Sequence, residues 1–452
     1  MKNLSPPLLL SARGFVLFGR IFSCFLLFDF AETWFDFDLL LSQSGAFPQK
    51  AFSAFYPTFS WNGLWGAPDH VTEALLILAM ALSAILAMSR FQSFLVLPLL
   101  LLTILFMHRM PGALTGSDIY LQLGLWALLL LPKTEVEFQS KTGRWKGFLL
   151  LTLFMGSYWY AGISKIGDAS WHNGLALFLV LKNGLFSRWS EFPWELYETS
   201  LRGISDFIFY AEIVLPPLCL ALLLRFPRAR FLVGSLFFSF HFLTIVFLNL
   251  GILPFLCLSF WILILAPAEP KNIHSLKLSF RWTDGLQIAV LCGFLLIQTL
   301  DLASLFNQKF NSIEATRDST VYRKLANFGV LSPTATHFDR ILPANSRPLE
   351  LELVDSENQK LRIPWNRSSR WDPGFHRRRQ RLLMRINHET RAGGLARRSL
   401  EHYFCWPGRF SRKISTIQLR GRVLTWKNFS EKFERRYFKK IIAKCEEPDE
   451  HG

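Results

Sequence analysis

The sequence predicts an all-α polytopic membrane protein of about nine transmembrane helices, followed by a small α+β soluble C-terminal domain. Three observations predict it. The 452-residue chain is 51% hydrophobic, and the apolar residues come in blocks such as EALLILAMALSAILAM and SFLVLPLLLLTILFM. Blocks of about 17–25 apolar residues cross the ~30 Å hydrocarbon core as helices, with every backbone group paired internally. The charge is uneven: residues 305 onward hold 30 Lys+Arg against 16 Asp+Glu, and the first 304 hold 20 against 18. Finally, RPLELELVDSENQKLRIPW alternates apolar and polar residues about a polar turn, the pattern of a β-hairpin outside the bilayer. The division expected is a transmembrane domain over 1–305 and a basic soluble domain over 306–452.

Taken in order, spans are expected near 13–30, 71–89, 92–108, 117–132, 147–164, 207–224, 231–249, 251–267 and 285–304. The first has no small-residue cleavage site, and Arg13 and Arg20 interrupt it, so it reads as a retained helix. Alternate loops then test orientation. Lys2, Arg13, Arg90, Lys133, Lys141, Arg144, Lys146, Arg225, Arg228, Arg230, Lys271, Lys277 and Arg281 fall on one side. Lys50, Arg109, Lys165, Lys182, Arg188 and Arg202 fall on the other. The positive-inside rule places the N-terminus in the cytoplasm of a multi-pass cell-membrane protein, and nine spans put the tail outside. GLALFLVLKNGLF, too short to span, reads as a re-entrant or interfacial helix, and with the 31–70 segment it would lid a cavity on the outer face.

In the tail, HRRRQRLLMRINHETRAGGLARRSLEHYF reads as a basic amphipathic helix or pair suited to anionic lipid headgroups. An external tail makes nucleic acid a poor partner; membrane lipid is expected, with a peptide or protein substrate on the outer face. Cys24, Cys219, Cys257 and Cys292 lie in apolar segments as small core residues. Cys405 and Cys445 would pair only in an oxidising compartment. No Cys or His spacing indicates a metal.

Ionisable residues at membrane depth are functional candidates. Four stand out: Arg20 in the first span, Asp118 opening the fourth, Lys165 closing the fifth, and Glu212 in the sixth; His241 in the seventh is a fifth polar candidate. Lys165 is the sharpest, since desolvation turns an amine into a usable base. The plainer alternative is a structural ion pair with Asp168, Asp118 or Glu212. Glu212 precedes Pro216 and Pro217, which free backbone carbonyls suited to a cavity wall. A capping role at a helix N-terminus suits Asp118.

Three stretches carry a resemblance. LFGRIFSCFLLFD, YWYAGISKIGDASWHNGLAL and SFHFLTIVFLNLGILPFLCLSF are similar to segments of the vitamin K-dependent gamma-carboxylase-like family, known for its horizontally transferred transmembrane (HTTM) domain, over roughly residues 10–305. The resemblance implies a lysine base, here Lys165, that deprotonates reduced vitamin K or a menaquinol, with Trp171 and Gly174 shaping the adjoining loop and Arg20 matching the family's first-span arginine. The oxygenated quinone would then abstract a glutamate γ-proton before CO2 adds. Three departures are visible: Ser23 and Cys24 stand where the family has a glycine just after the first-span arginine, Asp118 stands where the carboxylases carry a histidine, and the tail is far shorter than their lumenal region. A non-enzymatic scaffold or lipid- or partner-binding protein of the same fold is the alternative.

Overall fold

The computed structural model describes residues 10–43, 45, 67–88, 93–110, 116–167, 169–182, 187–266, 282–306, 346–355, 357–364, 405, 414–425 and 434–445. All nine apolar segments are helical. They are α1 (Ala12–Phe35), α3 (Asp69–Met88), α4 (Ser93–Arg109), α5 (Gly116–Leu130), α7 (Lys141–Ser164), α10 (Glu198–Arg225), α11 (Arg230–Phe247), α12 (Leu253–Leu265) and α13 (Trp282–Phe306). Among the described residues, six of these are long and apolar enough to cross a membrane, whereas α4, α5 and α12 are shorter apolar helices. Short helices α2 (Phe37–Leu40), α6 (Glu135–Gln139), α8 (Ala169–His172) and α9 (Ala176–Lys182) connect them. The last is the short helix expected from GLALFLVLKNGLF, whose final residues, like Asp168 and most of 44–66, lie outside the described residues.

Local chemistry sets the helix ends. Ser11 caps α1 by accepting from Gly14 N, and Glu135 accepts from Ala12 N at 3.0 Å, which ties α1 to α6. Thr134 and Glu137 form a capping box on α6, and Ser140 caps α7. Elsewhere, Arg109 is buried at the end of α4 and donates to the carbonyls of Leu41 and Ser42 after α2. Both carbonyls lie just past the C-terminal end of α2, where a cation suits the helix dipole.

The core explains why α7 is central. Two thirds of its most apolar stretch is buried, against 22% for α10, α11 and α13. It packs on α10 along one side and on α13 along the other, while α1 packs on α3 and α12. Phe260 stacks on Phe154 with centroids 4.8 Å apart and meets Phe18 at 5.0 Å. Glycines allow the closest approaches. A Cβ on Gly162 of α7 would lie 2.7 Å from the backbone C and O of Glu212. Small residues at helix contacts are how backbones come together where burial of apolar surface gives no drive. The outward faces of α3, α10 and α11 leave Ile77, Phe207, Leu232 and Phe242 exposed, as surfaces against lipid would be.

The expected hairpin is present. Strands β1 (Ser346–Asp355) and β2 (Lys360–Pro364) pair antiparallel, with the Asp355 carboxylate accepting from Glu357 N and Gln359 N in the turn. Two further strands, β3 (Ile414–Thr425) and β4 (Glu434–Lys444), complete a four-stranded antiparallel sheet of order β2-β1-β3-β4. Cys405 and Cys445 form a disulfide. The basic helix expected over 376–404 lies outside the described residues.

Candidate functional site

A cavity of about 560 Å³ opens between α7, α10, α11 and α12, with α9 over part of it. Its walls follow from helical periodicity. On α7 the stripe Ser157, Tyr158, Ala161 and Lys165 faces it. On α10 the stripe is Leu201, Ile204, Ile208 and Glu212. On α11 it is Phe240, His241, Thr244 and Phe247. Spacings of three and four keep one face of each helix turned inward. Leu177, Val180 and Leu181 of α9, with Leu248, Leu250 and Leu253, make most of the remaining wall apolar.

Two polar poles interrupt that lining. The first is at the C-terminal end of α7, where Lys165 is the C-cap and the chain turns through a 3-10 segment. Lys165 is 5% exposed, and its ammonium donates to the carboxylate of Glu212. Gly162 makes the pairing possible, because it brings the backbone of α10 against α7 at Glu212. Pro216, inside α10, has no N–H to bond the Glu212 carbonyl, so that oxygen is freed where the helices touch. The Lys165 Nζ also lies 4.4 Å from the centroid of the Trp171 ring, a cation–π contact. Trp171 stacks on Phe209 at 6.4 Å and 25°. Gly174, at φ 67°, closes the turn after Trp171 by donating its N–H to the Trp171 carbonyl.

The second pole lies two helical turns back along α7, roughly 10.5 Å along the axis at 1.5 Å per residue. There the Tyr158 hydroxyl and His241 Nε2 are 2.5 Å apart, and Trp261 Nε1 donates to the same hydroxyl at 3.0 Å. Tyr120 and Ser157 share a hydrogen bond of 2.7 Å beside them, and Cys257 completes this wall.

The structure therefore brings Lys165, Glu212, His241 and Trp171 to one cavity. Arg20 is exposed on α1, and Asp118 is buried in the first turn of α5, where a carboxylate suits the helix dipole; neither is in the cavity wall. Gly174 acts through backbone: a Cβ there would come 3.2 Å from Arg202 and Asp206. Tyr158, Tyr120, Cys257 and Trp261 escaped sequence reasoning. The signal available for Tyr158 was its place seven residues before Lys165, on the same helix face. Among the described residues, no three His, Cys, Asp or Glu side chains converge as a metal site would require.

The opposite end of α7 holds another polar cluster. Lys146 donates to Asp284 at 2.6 Å and to Gln287, beside a small cavity of about 160 Å³. Lys133 faces the same space, with its Nζ on the Leu128 carbonyl and 4.8 Å from the Phe15 ring. Burial pushes the Lys133 amine down to about 7, against the opposing pull of Glu137.

No family model, curated protein or solved structure matches the chain.

Proposed function

We propose that the protein is a membrane enzyme that acts on a lipid quinol, similar to the vitamin K-dependent gamma-carboxylase-like family, with Lys165 and Glu212 as its base. The observation that carries this proposal is the Lys165–Glu212 pair, its lysine buried and its glutamate half-buried, in the wall of a mostly apolar cavity. Such a cavity is of the size that takes a small organic ligand. The pair holds one labile proton at rest, on the amine or the carboxylate, and can accept a second. A quinol hydroxyl at this pole would lose its proton to the pair and leave a phenolate. Two-electron oxidation of that phenolate by O2 yields the quinone and hydrogen peroxide once protons are counted. The resemblance implies instead that the oxygen stays on the ring as a strong base toward a peptide glutamate, to which CO2 then adds. Tyr158 and His241 would form the second polar contact, with reduced vitamin K or menaquinol as cosubstrate.

In the membrane the chain would cross nine times, with the N-terminus cytoplasmic and the sheet outside. Three features support this topology: nine helical apolar segments, the basic bias of alternate loops, and the Cys405–Cys445 disulfide, a bond that persists in oxidising compartments. The test is O2 consumption by the purified protein in lipid with reduced vitamin K or menaquinol, comparing wild type with Lys165→Ala, with labelled CO2 and a glutamate peptide in parallel. Turnover by the wild type that is lost in the variant supports the proposal, and a wild type inert toward every quinol refutes it. A second reading, a non-enzymatic lipid- or partner-binding scaffold, is favoured by one observation: Glu212 already satisfies Lys165. It predicts that removing both charges leaves ligand or partner binding intact.

A further inference from the structure

We propose that the gap between α10 and α11 is a lateral mouth of the cavity, through which the hydrocarbon chain of a membrane amphiphile runs while its polar head lies at the Lys165–Glu212 pole. The ligand class is a hydroxyl- or carbonyl-bearing head on an alkyl or isoprenoid chain that stays in the bilayer. The inference rests on the reading of this cavity as the ligand site. It adds the route of entry and the nature of the tail, and it does not depend on turnover.

The gap follows from what each helix packs on. α10 lies against α7 and α11 against α12, and the two make little contact with each other although only the 3-10 turn Pro227–Ala229 separates them in sequence. Joined at that end and drawn to different neighbours, they leave a wedge between them. The cavity occupies its far end, lined from α10 by residues up to Glu212 and from α11 by residues from Phe240 onward, with no described residue of either helix nearer the turn. Heights can be counted from Arg225 and Arg230, the helix ends at the turn. Glu212 and Leu243 each stand thirteen residues away, about 20 Å along the axis, and Ile208 and Phe247 each stand seventeen away, about 25 Å. A turn carrying Arg225, Arg228 and Arg230 would lie at the bilayer surface, which puts both heights within the ~30 Å hydrocarbon core.

On this flank the cavity wall is also outer surface. Leu243 lines the cavity and is 53% exposed, and Ile204 lines it and is 46% exposed. With Ile208 and Phe247 they make a rim that is apolar on both helices. Phe207 and Phe242, just outside it, are exposed in turn, so the rim continues into the faces that would meet lipid. Such an opening selects its ligand by the tail. Drawing a chain out of a bilayer into water costs roughly fourfold in equilibrium constant for each methylene, and passage from lipid into an apolar gap avoids nearly all of it. A long chain therefore favours entry from the side and counts against entry from water. The head must be polar, because half-buried Glu212 lines the cavity level with Leu243, with the Lys165 ammonium on its carboxylate.

The experiment uses the full chain in lipid nanodiscs and two pairs of probes that differ in the chain: 2-methyl-1,4-naphthoquinone with and without a geranylgeranyl group, and 4-dodecylphenol with 4-methylphenol. Binding is titrated to wild type, to Leu243→Trp and Ile208→Trp, which narrow the gap, and to Leu232→Trp, on exposed α11 surface outside the cavity wall. Partition into empty nanodiscs is subtracted. At least one chain-bearing probe should bind wild type and lose about tenfold in affinity in both gap variants, while its chainless partner changes by less than about twofold and Leu232→Trp alters neither. Equal weakening of both members of a pair would mean that the variants disturb the whole cavity. A chain-bearing probe held as tightly by the gap variants as by wild type would place its chain elsewhere. Either result overturns the proposal, as does a wild type that binds neither chain-bearing probe. Should the gap variants fail to fold, wild type decides through chain-bearing probes with a diazirine at the chain end, irradiated and mapped by mass spectrometry. Label on Ile208, Leu243 or Phe247 that excess unlabelled probe displaces is expected, and label confined to α9 or residues 187–197 overturns the proposal. A gap effect with the phenol and no binding of either naphthoquinone would keep the lateral mouth and remove the quinol reading. Quinol turnover with chain-bearing probes indifferent to the gap variants would do the reverse.

Discussion

Removing one partner of the Lys165–Glu212 pair should cost far more than removing both. The two side chains are 6% and 16% exposed, so either charge left alone is poorly hydrated. Breaking a buried pair from one side costs about 3–5 kcal/mol, mostly because the remaining charge is uncompensated, whereas replacing both by apolar groups of similar volume is often neutral. Lys165→Met and Glu212→Leu should therefore each destabilise by about 3–5 kcal/mol, and the double variant should recover most of that. The coupling between the sites would then be about 3 kcal/mol or more, well above the ~0.5 kcal/mol scatter of independent sites. The assay is a double-mutant cycle on unfolding in lipid bicelles. Additive single effects would refute the reasoning and mean the pair is not closed in the protein. The cycle also separates the two functional readings. A double variant that folds as well as wild type but no longer turns over a quinol that the wild type oxidises assigns chemistry to the pair, and one that keeps that turnover assigns the pair to structure.

Two further outcomes follow from the packing and the tail. Gly162→Ala places a Cβ 2.7–2.9 Å from backbone atoms of Glu212 and Ile213, which cannot yield as a side chain would, so unfolding measurements should show a loss of about 1–3 kcal/mol. Gly203→Ala, on exposed α10 surface with nothing within 4 Å, is the control and should be neutral or gain up to about 1 kcal/mol from helix propensity. Equal behaviour of the two variants would contradict the close approach of α7 and α10. For the tail, Cys405 and Cys445 should resist a maleimide reagent in intact cells until a reductant is added, as mass shifts on the purified protein would show. Labelling without reduction would place the sheet in a reducing compartment and overturn the external tail.

How much of the site was legible depended on distance along the chain. Lys165 stood out because an ammonium closes an apolar block, and Glu212 and His241 because charge and imidazole are costly at membrane depth. Two alternatives were open for Lys165, a base or a member of an ion pair, and the structure shows the ion pair with a cavity beside it. Asp168, another candidate partner, lies outside the described residues. Tyr158 shares the face of Lys165, but nothing in YWYAGISK separates it from Tyr160, which turns into a different apolar cluster. Trp261 reaches Tyr158 across 103 positions, and no local pattern announces such a contact. Arg20 stood out by its charge at membrane depth and by its match to the family's first-span arginine, and it is exposed on α1 outside the cavity wall.

By itself the sequence determined that this chain is built of long apolar helices with a hairpin-bearing basic tail, because periodicity and hydropathy are properties of neighbours along the chain. It also settled which few side chains would be expensive to bury. Only the tertiary structure decided which of those meet. The approach of Glu212 to Lys165 depends on a glycine that lets two helix backbones come together, and the cavity is the space that four helix faces leave between them. Such contacts arise from packing between segments far apart in sequence, where the chain's local pattern carries no record of its partner.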